Sequence, residues 1–337
     1  MTQQMTTGVF ITGAAARIAQ EVAMLDLLMQ QKGLVLNQSN TVLSGFSSGS
    51  LNVLAINICF RDNNPLSWDN YYKNEVLFTL RNKDVFELFP RTKDSILNTA
   101  PLRTTLNKFL SDGGINYIGD LSFTSNILTA VKGTQDTVWI NNEDDGQDAL
   151  ASDVFMSSTA IPVVFPPQTI SYKAGTTRNI PDAEFVDGGT HGVFKNFENA
   201  FLPFIKQNGP LDTLHIVSPM REAFDKESKG FFSLLRTESL SDAEQALHQN
   251  FSLNISIDAF NKFCIALQAA NATSLIANNI LVSIPSMNTN SGILDFDSEQ
   301  DVYNTVIDWV KNQHPEQLAV PLDVYVKNNP VKNIITV

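Results

Sequence analysis

The chain has 337 residues, of which 43% are hydrophobic and 17% charged, with a formal net charge of -12. This length and apolar content allow one large domain or two small ones with a sizeable core, and give no sign of disorder. The acidic balance argues against a nucleic-acid partner, whose phosphates need a basic surface, and against general electrostatic adsorption to an anionic bilayer.

The opening MTQQMTTGVFITG has no basic residue ahead of its apolar stretch and so does not read as a Sec-type signal peptide. No apolar run approaches the roughly 18 residues that would span a bilayer. The expectation is a cytoplasmic protein, with other export routes left open. Val9 to Thr12 reads as a short buried strand, and Gly13 opens a loop. A long helix follows from Ala14 to Gln31, ended by Gly33. Thr41 to Ser44 is a second strand, and Ser50 to Phe60 a helix apolar nearly all round, hence central. From Pro65 to Leu110 the pattern is mostly helical, broken at Pro90 and Pro101. Ser122 to Val131 and Thr137 to Asn141 read as strands, Asp144 to Gln147 as an acidic turn and Ala149 to Ser158 as a helix stopped by Ile161-Pro162. Phe185 and Val186 end a strand at Asp187-Gly188-Gly189. Asn196 to Lys206 reads as a helix, Thr213 to Val217 as a strand, Ser241 to Ala270 as largely helical, Ile280 to Ile284 as a strand and Ser298 to Asn312 as an amphipathic helix. The two cysteines, Cys59 and Cys264, lie in apolar sequence and read as buried thiols.

Strands alternating with helices imply a mostly parallel central sheet covered on both faces, a three-layer α/β sandwich. With no repeat and no linker, the simplest organisation is a single domain over 1–337, with helical elaborations at about 61–120 and 222–275. Oligomeric state is not encoded in any pattern.

The stretch Gly45-Phe46-Ser47-Ser48-Gly49 lies between a buried strand and an apolar helix. A serine hydroxyl needs a base and a charge-stabilising site before it can act as a nucleophile. Glycines two before and two after a serine allow the tight turn that lifts Oγ above a sheet, and the following helix N-terminus favours developing anions. Ser47 is therefore a candidate nucleophile; an ordinary glycine-bounded turn is the alternative. Four histidines are candidate bases. His215 lies in an apolar strand, His248 and His314 lie in polar helical sequence, and His191 sits near Asp187 in no recognisable triad order. An elbow this early in the chain also departs from the usual α/β-hydrolase order. Asp187 is the carboxylate alternative. It ends a strand before two glycines, which predicts a side chain exposed at a tight turn. With an ordinary pKa near 4 it would need direct contact with Oγ and partial desolvation to act as a base; a simple turn former is the other reading. Oxyanion donors are expected in Gly13-Ala14-Ala15-Ala16-Arg17, where small side chains and unpaired amides open a helix.

These three stations, in this order, resemble the patatin-like phospholipases. Two further stretches resemble the family: Ala151 to Pro167 (ASDVFMSSTAIPVVFPP) and Thr99 to Leu110 (TAPLRTTLNKFL). The resemblance spans about Val9 to Gly189. It implies a Ser47–Asp187 dyad, an oxyanion hole from the amides around Gly13, Ala14 and Ala15, and Arg17 supporting that loop. Gly45 and Gly49 are the elbow glycines. The implied reaction is hydrolysis of a lipid acyl ester through an acyl-Ser47 intermediate, without metal or cofactor, and the implied partner is a lipid or acyl-ester substrate met through transient contact with a membrane surface. The sequence departs from the family's pattern in having alanines where loop glycines are usual and Ile18 where the loop's last glycine would stand. If those positions need positive φ, the alanines are strained.

Two rival functions follow from the same residues. The alanines leave open a non-catalytic lipid-binding or storage protein on this fold. VFITGAAARIAQEVA also resembles the start of a short-chain dehydrogenase, but Arg17 and Ala19 stand where that family's second and third glycines would lie, and no tyrosine has a lysine four residues on. Apolar candidates for guiding lipid are Phe231, Phe232, Leu234, Leu235 and Leu88-Phe89-Pro90, with core packing as the alternative for each.

Overall fold

The computed structural model describes residues 5–87, 95–143, 146–176, 180–190, 197–219, 257–285 and 294–331. The first strand, β1 (Thr7–Ile11), enters a 3-10 turn at Ala15–Arg17 and then α1 (Ile18–Gln31). Strand β2 (Thr41–Gly45) runs into α2 (Ser48–Cys59), which starts two residues earlier than its apolar pattern predicts. The next segment holds a π-helix at Trp68–Leu77, the short α3 (Asn82–Val85) and α4 (Ala100–Gly113). The helical pattern is interrupted ahead of Pro101, where 95–99 are non-helical; the proline itself lies in the first turn of α4, where its missing N–H has no helical partner to lose. Strands β3 (Thr124–Val131) and β4 (Thr137–Asn141) precede α5 (Ala151–Ser158) and β5 (Phe185–Asp187). Then come α6 (Leu202–Asn208), β6 (Leu211–Val217), α7 (Ile257–Ser274), β7 (Ala277–Ser283) and α8 (Glu299–Asn312). The short β8 (Val320–Pro321) and α9 (Leu322–Asn328) end the described chain and carry no sequence pattern strong enough to be foreseen.

The sheet order is β4-β3-β2-β1-β6-β7-β8, with β5 pairing on β3. Strands β3, β2, β1, β6 and β7 are mutually parallel, while β4, β5 and β8 run antiparallel to their partners. The fold is thus a mostly parallel sheet between two helical layers. Period-two alternation distributes the strand side chains. Val9, Ile11, Leu43 and Ile127 face one core with α1, α2, α4, α5 and α8. Phe10, Val42 and Leu128 face a second core with α6, α7 and α9.

The chain leaves β1 toward β2 and later returns on its other side as β6, so the strand order reverses at β1. In open α/β sheets such a reversal leaves a crevice at the carboxyl ends of the strands. The loops after β1 and β2 both open there. Strand β3 adds a second device. Its first half pairs with β2, Gly45 lying opposite Ile127. Its second half pairs with β5, Asp187 lying opposite Thr129. Because β4 occupies the other edge of β3 through Thr129 and Ala130, β5 must continue the row that β2 leaves. Being antiparallel, its carboxyl end meets the carboxyl end of β2, two β3 residues or roughly 7 Å along.

Candidate active site

Ser47 occupies the turn between β2 and α2 with φ 53 and ψ -134. A non-glycine residue held there costs on the order of 1–3 kcal/mol, so the surroundings must enforce it. They do so from both sides. The Ser47 N–H lies 3.1 Å from both the backbone oxygen and the hydroxyl of Ser158, while the Ser50 hydroxyl donates to the Ser47 carbonyl at 2.7 Å. The elbow glycines meet each other and the end of β1. A Cβ on Gly49 would lie 2.2 Å from the Ile11 carbonyl oxygen, and one on Gly45 2.9 Å from the Gly49 carbonyl. A methyl group at Gly49 therefore collides with backbone, which cannot swing aside.

Asp187 lies at the end of β5 and is fully buried. This corrects the expectation of a side chain exposed at its turn: the turn is tight, but Phe46, α5 and the end of β3 cover it. Its N–H donates to the Ala160 carbonyl at 2.8 Å, and its Oδ1 accepts from the Gly189 N–H at 2.8 Å. Oδ2 is buried and closes no hydrogen bond of ordinary geometry among the described residues. The carboxyl pKa is pushed up from its ordinary 3.8 to about 7. Burial drives the shift, and the neighbouring Ser47 hydroxyl and the Gly189 N–H partly offset it. Ser47 and Asp187 are thus side by side.

The loop after β1 lies directly on the elbow. A Cβ on Gly13 would sit 2.3 Å from the Ser47 Cβ, so only glycine fits. The three amides foreseen as oxyanion donors differ. The Ala14 N–H is committed, donating to the Ser48 hydroxyl at 2.9 Å. The Gly13 and Ala15 N–H groups make no hydrogen bond among the described residues. Ala15 has φ 49, the strained conformation that a glycine would adopt freely. Arg17 is buried beneath the loop at the start of α1, and its N–H donates to the Ala14 carbonyl at 3.1 Å.

Sequence reasoning missed the groups that hold these parts in place. Ser48 donates to Glu21 at 2.7 Å; Glu21 also accepts from the Asn52 amide at 2.6 Å, and the Tyr72 hydroxyl donates to Asn52 at 2.6 Å. This buried chain ties the loop after β1 to α1, α2 and the π-helix. Ser158 and Ala160 pin Ser47 and Asp187 from the end of α5. Their signal was present in Ser157-Ser158-Thr159-Ala160, but nothing local shows what they touch. Arg103 in α4 reaches Asp153 at 2.7 Å and Gln168 at 2.8 Å, joining the two other stretches that resemble the family.

Neither described histidine bonds to Ser47 or Asp187. His215 is buried in β6, where desolvation pulls its pKa down to about 4, and His314 pairs with Glu316 at 3.0 Å. His191, His248, Pro90, Phe231, Phe232, Leu234, Leu235 and Leu88-Phe89-Pro90 lie outside the described residues. Cys264 is buried, whereas Cys59 is only half-buried, and desolvation pushes the Cys59 thiol up to about 12. Among the described residues no cluster of three or more His, Cys, Asp or Glu side chains is placed to hold a metal ion, and no helix is long and apolar enough to cross a membrane.

Beside Ser47 opens a narrow cavity of about 40 Å³, walled mainly by apolar side chains such as Ile18, Leu51 and Phe165. Together these features define an α/β protein with a serine elbow at the carboxyl edge of a mostly parallel sheet. A family-wide sequence profile described as patatin-like phospholipase matches residues 10–215, from β1 into β6. The chain belongs to the patatin-like phospholipase family. A search of curated proteins returned no match.

Proposed function

We propose that the protein is a serine acyl hydrolase that cleaves acyl esters of lipids or phospholipids through an acyl-Ser47 intermediate. The observation that carries this reading is the Asp187 carboxyl beside Ser47, buried and pushed up to about 7. An ordinary aspartate is a feeble base towards a hydroxyl. One whose pKa lies near the working pH is ionised enough to act and basic enough to take the proton.

In the proposed reaction Ser47 Oγ attacks the ester carbonyl carbon as its proton passes to Asp187 Oδ2. The negative charge that develops on the carbonyl oxygen meets the N–H groups of Gly13 and Ala15 and the N-terminus of α2. The intermediate collapses, the alcohol leaves with the proton from Asp187, and the acyl group stays on Ser47. A water molecule then attacks the acyl-enzyme, Asp187 takes its proton, and the fatty acid departs as Ser47 recovers its hydrogen. Neither a metal nor a cofactor has a role in this sequence. Lipid is expected to arrive through transient contact with a membrane surface.

The oxidoreductase reading loses ground because Gly13 packs against the Ser47 turn, a Cβ there meeting the Ser47 Cβ at 2.3 Å, and because Arg17 and Ala19 replace the glycines that a pyrophosphate needs. The non-catalytic reading keeps one specific support, the strained Ala15 with the neighbouring Ala14 amide already committed. Labelling with a fluorophosphonate probe separates the two. Wild type is expected to label, Ser47→Ala to take no label and Asp187→Ala to label far more slowly. Label that persists in Ser47→Ala overturns the hydrolase reading, and a wild type that neither labels nor turns over p-nitrophenyl esters favours the non-catalytic one.

A further inference from the structure

Strand β3 sets one more side chain against the proposed base. Thr129 lies directly opposite Asp187 on the antiparallel ladder of β3 and β5. The Asp187 N–H turns away from β3 to the Ala160 carbonyl, while the Lys132 N–H further along reaches the Glu184 carbonyl. The rung of Thr129 and Asp187 is therefore a non-hydrogen-bonded one. Opposed side chains share a face there and approach most closely, with Cβ atoms about 4.5–5.5 Å apart. Thr129 is fully buried, and its hydroxyl has no hydrogen-bond partner among the described residues; the same holds for Asp187 Oδ2.

The register also names the other sheet neighbours of Thr129 on that face. Ile127 and Val131 flank it along β3 and Val138 lies opposite on β4, all apolar and packed in the core shared with α1, α2, α4, α5 and α8. Asp187 is thus the one polar side chain beside Thr129 on this face of the sheet, among the described residues. On α5, which packs on β3 and β5, the Ser158 hydroxyl is committed to the Leu128 carbonyl at 2.8 Å and the Thr159 hydroxyl to the Phe155 carbonyl at 3.0 Å, while Ser157 is buried without a partner. Burying a hydroxyl without a bond is costly, and valine would fill the same space without that cost. No charge competes for the carboxyl. Strands β2, β3 and β4 and helix α2 carry no charged side chain. Asp153 on α5 pairs with Arg103 at 2.7 Å, and Lys132 and Glu184 beyond the strand ends pair with each other at 2.8 Å.

We propose that Thr129 is a positioning residue for the base: when Asp187 ionises, the Thr129 hydroxyl turns by one χ1 step and donates to its carboxylate, holding it toward Ser47. The inference rests on Asp187 serving as that base. A carboxylate has room for several donors, so the Gly189 N–H, the Ser47 hydroxyl and the Thr129 hydroxyl do not exclude one another. A hydrogen bond to the charged form favours it, so this hydroxyl eases the ionisation that burial opposes. Thr129 acts through Asp187 and offers no group to the ester.

The test measures kcat/KM for p-nitrophenyl butyrate from about pH 5 to 9 with the full chain, Thr129→Val and Thr129→Ser. Thr129→Val keeps the shape and loses the donor. Its acid limb should move up by about one pH unit, so that kcat/KM falls about tenfold at pH 6 and matches wild type at pH 9, with KM unchanged. Thr129→Ser should restore the wild-type limb. A second arm needs no turnover. In urea denaturation, the stability gap between wild type and Thr129→Val should be wider at about pH 8.5, where the folded carboxyl is ionised, than at about pH 5, and should lose its pH dependence in the Asp187→Asn background. An acid limb that Thr129→Val leaves in place, or that Thr129→Ser moves equally, overturns the inference, as does a stability gap that is the same at both pH values. If fluorophosphonate labelling still depends on Ser47 in that case, only the role of Thr129 falls; if the label survives Ser47→Ala, the hydrolase reading falls, and the role of Thr129 with it.

Discussion

Replacing Asp187 by asparagine should stabilise the protein at pH 8 and leave its stability at pH 4 nearly unchanged, while removing activity throughout. The folded carboxyl titrates at about 7 against an ordinary 3.8. Between those values the folded state holds a proton that the unfolded chain has released. Stability therefore falls as pH rises through this window and levels off above about 7. At about 1.36 kcal/mol per pH unit, the gap corresponds to a cost on the order of 4 kcal/mol at pH 8. Asparagine has nearly the same shape and never ionises, so it avoids that cost. Thermal melts from pH 4 to 8.5 should show the variant gaining on wild type by several degrees across the window. In the proposed reaction the base must be ionised, so wild-type kcat/KM should fall about tenfold per pH unit below about 7. A melting difference that is flat with pH, or a variant less stable than wild type at pH 8, would refute the reasoning. So would an activity profile whose acid limb lies near pH 4.

Three more outcomes follow from the packing. Gly49→Ala places a methyl carbon 2.2 Å from the Ile11 carbonyl oxygen, so it should lose about 3 kcal/mol or more, or fail to give soluble protein; an unchanged melt would contradict the elbow geometry. Ala15→Gly relieves φ 49 and should raise stability by up to about 1 kcal/mol, read by urea denaturation, whereas a loss would mean that Ala15 does not hold a positive φ. Ser48→Ala deprives the Ala14 amide and the Glu21 carboxylate of a buried partner and should cost about 1–3 kcal/mol, measured the same way; no change would show that the network is not formed.

Much of the site was legible because its signals are local. A strand, two glycines and an apolar helix within twenty residues announce the turn at Ser47, and Asp187-Gly188-Gly189 announces a strand end. Gly13 and the small residues after it announce a loop whose amides open a helix without helical partners. The misreadings were of environment. Asp187 was expected at an exposed turn and is fully buried, because Phe46, α5 and β3 come from remote parts of the chain to cover it. The break in the helical pattern at Pro101 was legible, because proline opens α4 at a turn where its missing N–H is not needed. Ser158 and Glu21 went unremarked because a hydrogen-bond partner far along the chain leaves no local trace.

The sequence by itself determined the alternation of strands and helices, the elbow at Ser47 and the carboxylate-ending strand at Asp187. Each is set by backbone preferences and apolar spacing within a few residues. Only the tertiary structure decided that the two belong together. Strand β3 pairs with β2 along one half and with β5 along the other, which brings the two strand ends to neighbouring positions on one ladder. It also decided the chemistry of Asp187. Desolvation is a sum over every atom that displaces water from the carboxyl, and those atoms arrive from segments that the order of residues keeps far apart.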